Sequence, residues 1–253
     1  MRCVRLRAWA ALALLVAAVP ASAISPVSVT IGTSRDGTLH DLQKVVDRYL
    51  GVGRIDVRRD YIGARAGDPD PWTWTTVPGK AVVLNLIDRK YAVGTIGWYR
   101  EGAGMPRLDG VDDGLVFERW RLHGIPSALR LPPGVRSFGF YVTRDPGGGA
   151  IDGDNEAYTY FTNRKFNAPG PHGTGAVHAP WDGDAQMLVY DVSRWLGPDT
   201  WLVACEYSDS GDPLGTGDGQ SDNDYSDIVF TVEGVGVTPT LGTSFGRLKA
   251  LFR

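Results

Sequence analysis

Short apolar runs recur between clusters of glycine and proline along most of this chain, and that punctuation restricts its fold more than any other feature. There are 33 glycines and 16 prolines among 253 residues, too many turn formers for a helical bundle and suited to short strands joined by loops. The runs lie at Ala81–Ile87, Ala92–Tyr99, Gly114–Trp120, Ser137–Thr143, Ala185–Val192, Trp201–Tyr207 and Ile228–Glu233. Such spacing predicts a mainly β protein, an antiparallel β-sandwich of jelly-roll character. Val27–Gly32 reads as one more short strand. It is followed by the one helix expected in the body, since Leu39, Leu42, Val45, Val46, Tyr49 and Leu50 share a helical face and Gly51 is placed to end it.

The chain opens with Arg2, Arg5 and Arg7, an apolar run from Ala8 to Val19, and Ala21-Ser22-Ala23. This is the pattern of a secretory signal peptide over residues 1–23, its apolar part too short for a spanning helix. Export to the cell surface or beyond is therefore expected. No further run in the mature chain reads as a transmembrane helix. Removing the signal leaves 23 basic against 29 acidic residues, a net charge of −6. An acidic chain with no basic stripe lacks what releases counterions from phosphates, so nucleic acid is not an expected partner. Cys3 leaves with the signal, and Cys205 then has no cysteine to pair with. Burial alone can stabilise a chain of this length, but an exported protein without disulfides often leans on something further, such as a bound cation.

No internal repeat or long linker divides the remainder. A single β-sandwich domain is expected over residues 24–235, followed by a tail over 236–253. In that tail Phe245, Leu248, Leu251 and Phe252 alternate with Arg247, Lys249 and Arg253, the pattern of a short basic amphipathic helix suited to anionic lipid or a sorting partner. A frayed terminus is the alternative.

The densest chemical signal runs from Glu206 through Asp209, Asp212, Asp218, Asp222 and Asp224 to Asp227, with no Lys or Arg between them. The last stretch, Ser221 to Asp227, directly precedes an apolar strand, so the loop's end is pinned against the sandwich. Pinned carboxylates invite a hard cation. Calcium fits, because it takes six to eight oxygens in irregular geometry, whereas magnesium demands a tight octahedron and zinc wants His or Cys at ligand spacing. The EF-hand is excluded by register, because its glycine position falls on Asn223 or Asp227. A plain solvated acidic loop remains the other reading of the same residues. A second group, Asp152, Asp154, Asn155 and Glu156, reads as a solvated turn.

Cys205-Glu206-Tyr207-Ser208, a glycine-rich gap, and Asp222-Asn223-Asp224-Tyr225-Ser226-Asp227 before Ile228-Val229-Phe230 form an ordered series. Tyr160-Phe161-Thr162-Asn163, Asn167, His178 and Ser137-Phe138-Gly139-Phe140-Tyr141 extend it upstream. The series resembles the exported bacterial domain of unknown function 4114 family, associated with PEP-CTERM sorting tails, whose end reads approximately F-E-D-L, a gap, then D-x-D-Y-N-D. The resemblance covers most of the mature chain. It implies a β-rich secreted domain with a calcium-stabilised acidic loop and no established enzymatic activity. Its metal ligands would fall on Glu206, Asp222, Asp224, Asp227 and Asn167. The chain departs from the family at Tyr207 and Asn163, which replace acids, and at Ser226, which replaces an asparagine. In the tail, Thr238-Pro239-Thr240 stands where relatives carry Pro-Glu-Pro.

Catalytic motifs are not expected to operate. Gly242-Thr-Ser244-Phe-Gly246 matches the nucleophile-elbow pattern, but no His, Asp or Glu follows it. His40, His123, His172 and His178 show no paired ligand spacing. His178 would brace a loop by a hydrogen bond sooner than ligate a cation that prefers oxygen. Trp72 and Trp74 share one face if extended; they read as core, with stacking on a sugar as the alternative. The leading expectation is a secreted, non-enzymatic module with structural calcium. Its partner would be an extracellular polysaccharide or a component of the cell envelope. The rival is a carbohydrate-active protein, either a calcium-dependent lectin-like binder or a glycoside hydrolase.

Overall fold

The computed structural model describes residues 29, 31–34, 37–63, 73–89, 94–102, 104, 106–117, 124–144, 159–163, 166, 186–206 and 224–237. The signal segment and everything after Val237 lie outside the described residues, as do Asn167, His123, His172, His178, Trp72, Asp222 and the group around Asp154.

The expected β-sandwich is present. Among the described residues the strands are β1 (Trp74–Thr76), β2 (Val82–Arg89), β3 (Gly94–Arg100), β4 (Asp113–Phe117), β5 (Ser127–Leu129) and β6 (Ser137–Arg144), followed by β7 (Thr159–Phe161), β8 (Met187–Asp191), β9 (Thr200–Cys205), β10 (Ile228–Glu233) and β11 (Val235–Val237). They form two antiparallel sheets. The first runs β11-β1-β6-β3-β4, with β7 pairing β6 farther along the edge that β1 uses. The second runs β5-β2-β10-β9-β8. Two helices accompany them, α1 (Leu42–Leu50) and the short α2 (Ser193–Leu196).

The inter-sheet core follows from strand alternation. Leu84, Leu86, Val203, Cys205, Ile228, Phe230 and Val232 project from the second sheet against Ile96, Trp98, Phe138, Phe140 and Val142 of the first. Phe140 stands at the centre, with its ring 5.1 Å from Trp74, 5.6 Å from Phe138 and 5.3 Å from Phe230, all in edge-to-face arrangements. Trp74 is thus a core ring, as its surroundings in the sequence suggest, and is wholly buried.

The second sheet is covered on both faces, which is why β9 is buried at every residue and shows no polar alternation. Its outer face carries Leu188, Tyr190, Leu202, Ala204 and Val229 beneath α1 and the segment around it, through Ile31, Leu42, Val45, Val46, Leu50, Ile55, Val57 and Tyr61. The Tyr190 hydroxyl donates to the Val57 carbonyl at 2.9 Å, and burial pushes its pKa well up. Gly51 ends α1 at φ 104°, a conformation that side-chain-bearing residues rarely adopt.

Three expectations are corrected here. Leu39 is not on the buried stripe of the helix: it sits in a preceding 3-10 turn, Thr38–His40, and is 67 % exposed. Tyr49 lies at the exposed margin of the stripe. Ile31 and Gly32 are not in a strand, since Ile31 packs as a cover residue and makes no ladder. At the other end the sandwich extends past Val235, because Gly236 and Val237 pair with Thr75 and Trp74.

The outer face of the first sheet holds a second aromatic layer of Tyr99, Tyr141, Phe161 and Phe166, with Leu108 against it. Burial raises the pKa of both tyrosine hydroxyls. Two strand glycines make room for these rings. A Cβ on Gly97 would lie 2.1 Å from the Tyr141 ring, and one on Gly139 would lie 2.3 Å from the Tyr99 hydroxyl oxygen. Gly97→Ala is therefore expected to displace a wholly buried ring and cost about 1–3 kcal/mol by overpacking. Urea unfolding checks this, and an unchanged midpoint would show that Tyr141 yields freely.

Candidate metal centre

Of the acidic run, Glu206, Asp224 and Asp227 are described, where β9 ends and β10 begins; Asp209, Asp212, Asp218 and Asp222 lie outside the described residues. Glu206 follows the last residue of β9 and Asp227 precedes the first of β10. Ladder pairs Ile228↔Cys205 and Val229↔Ala204 run through this end of the sheet. Continuing the pleat places Glu206 on the face of Ala204 and Asp227 on the face of Val229, which is the face covered by α1. On the other side of β9, Glu206 N–H donates to the Gln186 carbonyl at 3.0 Å, extending the pair Met187↔Cys205 by one residue. Gln186 therefore shares this face, two residues before Leu188. Gln186, Glu206 and Asp227 make a polar row across three neighbouring strand ends.

Asp224, Tyr225 and Ser226 close the row. Asp224 Oδ1 accepts the Ser226 N–H at 2.8 Å, an Asx turn in which a side-chain oxygen caps the backbone two residues on. Tyr225, at the middle of that turn, has φ 55°. A non-glycine residue there costs about 1–2 kcal/mol and persists where its surroundings over-determine it. Here the Tyr225 N–H donates to Glu206 Oε2 at 3.3 Å and its ring is buried in the layer under α1. Ser226 Oγ lies within hydrogen-bond reach of the His40 carbonyl and is 3.0 Å from Asp224 Oδ1, so one hydroxyl proton is shared between two acceptors. Ser226 thus ties the acidic turn to the start of the helical cover. His40 presents its carbonyl to this turn while its imidazole faces Asp88, Nδ1 to Oδ2 4.0 Å.

Burial distinguishes these acids from a solvated loop. Glu206 is 2 % exposed, Asp224 0 % and Asp227 6 %. A buried carboxylate is costly unless paired or hydrogen-bonded, and part of that compensation is visible in the N–H donors of Tyr225 and Ser226. The electrostatic reach of the pair is felt on the other face of β9. There burial pushes the Cys205 thiol well up, and the nearby Asp227 and Glu206 push it further. Cys205 is a reduced, buried core residue and not a nucleophile.

Of the five residues expected to hold metal, Glu206, Asp224 and Asp227 are buried near one end of the second sheet; Asn167 and Asp222 lie outside the described residues. Among the described residues no three His, Cys, Asp or Glu side chains converge as a metal-holding group by themselves. Gln186 is 6 % exposed, and its Oε1 is shielded from solvent with no hydrogen-bond partner among the described residues. Gln186 was not among the residues singled out from sequence. The available signal was its position directly before an apolar strand, which Asp227 shares.

Comparisons with protein-family models, with curated proteins and with solved structures give no match for this chain. Among the described residues no helix is long and apolar enough to cross a membrane.

Proposed function

We propose that this chain is an exported, non-enzymatic β-sandwich module of the cell surface or extracellular matrix that holds calcium as a structural ion where β9 and β10 meet. The observation that carries this reading is the burial of Glu206, Asp224 and Asp227 at one corner of the second sheet. Water is excluded from these acids, and oxygen donors without bulk solvent are the surroundings in which a hard cation is held. The resemblance of the Asp222–Asp227 block to the PEP-CTERM-associated family supports the same reading. So does the lack of a cysteine partner for Cys205, since an exported chain without a disulfide gains from an ionic cross-link between strand ends.

Titration calorimetry of the signal-free chain with calcium chloride tests this directly. A single saturable site is expected, and absence of heat with the folded protein would overturn it. The carbohydrate-active alternative has lost one of its two candidate stacking rings, because Trp74 is wholly buried in the inter-sheet core. A glycan array with a hydrolysis screen, each with and without chelator, separates the two. Calcium-dependent glycan binding without turnover would favour the lectin-like alternative, and turnover would favour a hydrolase.

A further inference from the structure

We infer that Asp109-Gly110 is a site of spontaneous covalent modification, where the main-chain link isomerises to isoaspartate through a cyclic imide and the Asp113 carboxylate takes the proton from the Gly110 nitrogen.

Two Asp-Gly pairs have both residues described, Asp109-Gly110 and Asp113-Gly114. Glycine brings no Cβ, so its nitrogen is the least hindered in attacking the side chain before it. The two pairs stand in different surroundings. Asp113 and Gly114 belong to β4 and pair with Tyr99 and Trp98 of β3. A Cβ on Gly114 would lie 2.8 Å from the Trp98 indole nitrogen, so ladder and ring together hold this bond extended. Asp109 and Gly110 are exposed in the turn before β4. Gly110 has φ 80°, and a Cβ there would meet nothing within 4 Å. Asp109 Oδ1 accepts the Val111 N–H at 3.1 Å, which folds the carboxyl back over its own C-terminal peptide. The Gly110 N–H donates to Asp113 Oδ1 at 2.6 Å, so a carboxylate already stands where the proton of the attacking nitrogen must go. Burial raises the pKa of Asp113, and Asp109 and Asp112 raise it further against the lowering by the Gly110 N–H. The result is a stronger proton acceptor than an ordinary exposed carboxylate.

The step balances with water alone. The Gly110 nitrogen bonds to Cγ of Asp109 in its acid form and its proton passes to Asp113. The Cγ–OH bond breaks, and the hydroxyl leaves as water with the proton that Asp113 returns. One water then opens the imide. Addition at Cγ restores aspartate; addition at the Asp109 main-chain carbonyl leaves the chain running through Cβ and Cγ. The isomer lengthens the main chain by one carbon just before Asp112, whose carbonyl accepts the Arg100 N–H at 2.7 Å and whose Oδ1 lies 3.2 Å from Arg100 Nε. The turn that seats β4 against β3 is what changes.

The full signal-free chain should be held in mildly acidic buffer, where an aspartic acid carries its proton part of the time, and mapped by mass spectrometry with fragmentation that separates isoaspartate from aspartate. In the folded parent, isoaspartate is expected to accumulate at position 109 and not at 113. In urea both positions should react, and position 109 more slowly than in the folded chain, because only folding holds Asp113 against the Gly110 nitrogen. Asp113→Ser keeps an oxygen that can accept the Gly110 N–H but removes the basic group. It is expected to slow isomerisation at 109 by about 10²-fold, the lower end of what a positioned proton acceptor contributes. Should that variant not fold, the comparison of folded parent with urea decides alone. A rate at 109 in folded Asp113→Ser equal to or above the parent's overturns the role of Asp113, and a faster one would show that the hydrogen bond protects the nitrogen. Equal accumulation at 109 and 113 in the folded parent, or none at 109, overturns the site.

Discussion

Phe140→Ala is expected to lower the stability of the sandwich by about 3–5 kcal/mol, the range for emptying a buried aromatic site. Phe140 lies on β6 of the first sheet with its ring edge-on to Phe230 of the second, and it also touches Trp74 and Phe138. Truncation leaves a cavity bounded by rigid rings on strands held by their ladders, and such a site collapses poorly, which places the cost toward the upper end. For a domain of this size about 1 kcal/mol corresponds to 2–4 °C, so the melting temperature should fall by roughly 6–20 °C. Chemical denaturation with Val52→Ala as an exposed control checks this. Val52 is 87 % exposed, and its loss should stay within about 0.5 kcal/mol. Equal effects at the two positions would mean that the sheets do not meet at Phe140.

Calcium should raise the melting temperature of the parent chain relative to chelator. The expected stabilisation is about 2.7 kcal/mol at 100-fold excess over the dissociation constant when only the native state binds. On the same scale this is roughly 5–11 °C. An ion held by the native state and not by the unfolded chain shifts the equilibrium toward the native state. Asp227→Asn and Glu206→Gln remove a charge each while keeping shape, and both should abolish most of the calcium response. Asp224→Asn should lose part of the response and also loosen the turn that Asp224 Oδ1 closes onto Ser226. Coincident melting curves in calcium and in chelator for the parent would end the structural-ion reading.

Much of this architecture is legible before any coordinates. A strand buried on one face or both leaves an apolar run bounded by turn formers, and seven such runs correspond to β2, β3, β4, β6, β8, β9 and β10 within a few residues. The missed strands, β1, β5, β7 and β11, are three residues each. At that length no periodicity exists to be read, and such strands form because a longer neighbour offers an edge. β1 shows this, being held between β6 and β11 by two or three pairs on either side. The helix was legible through Leu42, Val45, Val46 and Leu50, but extending its stripe back to Leu39 failed. Spacing alone does not report that Asp41, with extended backbone, breaks the helical path before Leu42.

The candidate site divides in the same way. Sequence by itself determined that acids crowd the approach to β10 and that the last of them are tied to a strand, because adjacency along the chain is enough to pin a loop's end. It also showed that Cys205 has only Cys3 as another cysteine within the given sequence, which is a matter of counting. Only the tertiary structure decided that Glu206, Asp224 and Asp227 are buried, at the end of a sheet whose outer face is covered by α1 and its flanking segment. Gln186 comes from a different strand altogether. It meets Glu206 through the antiparallel register of β8 with β9, a non-local pairing that depends on every other contact in the sheet and leaves no trace in the residues around position 186.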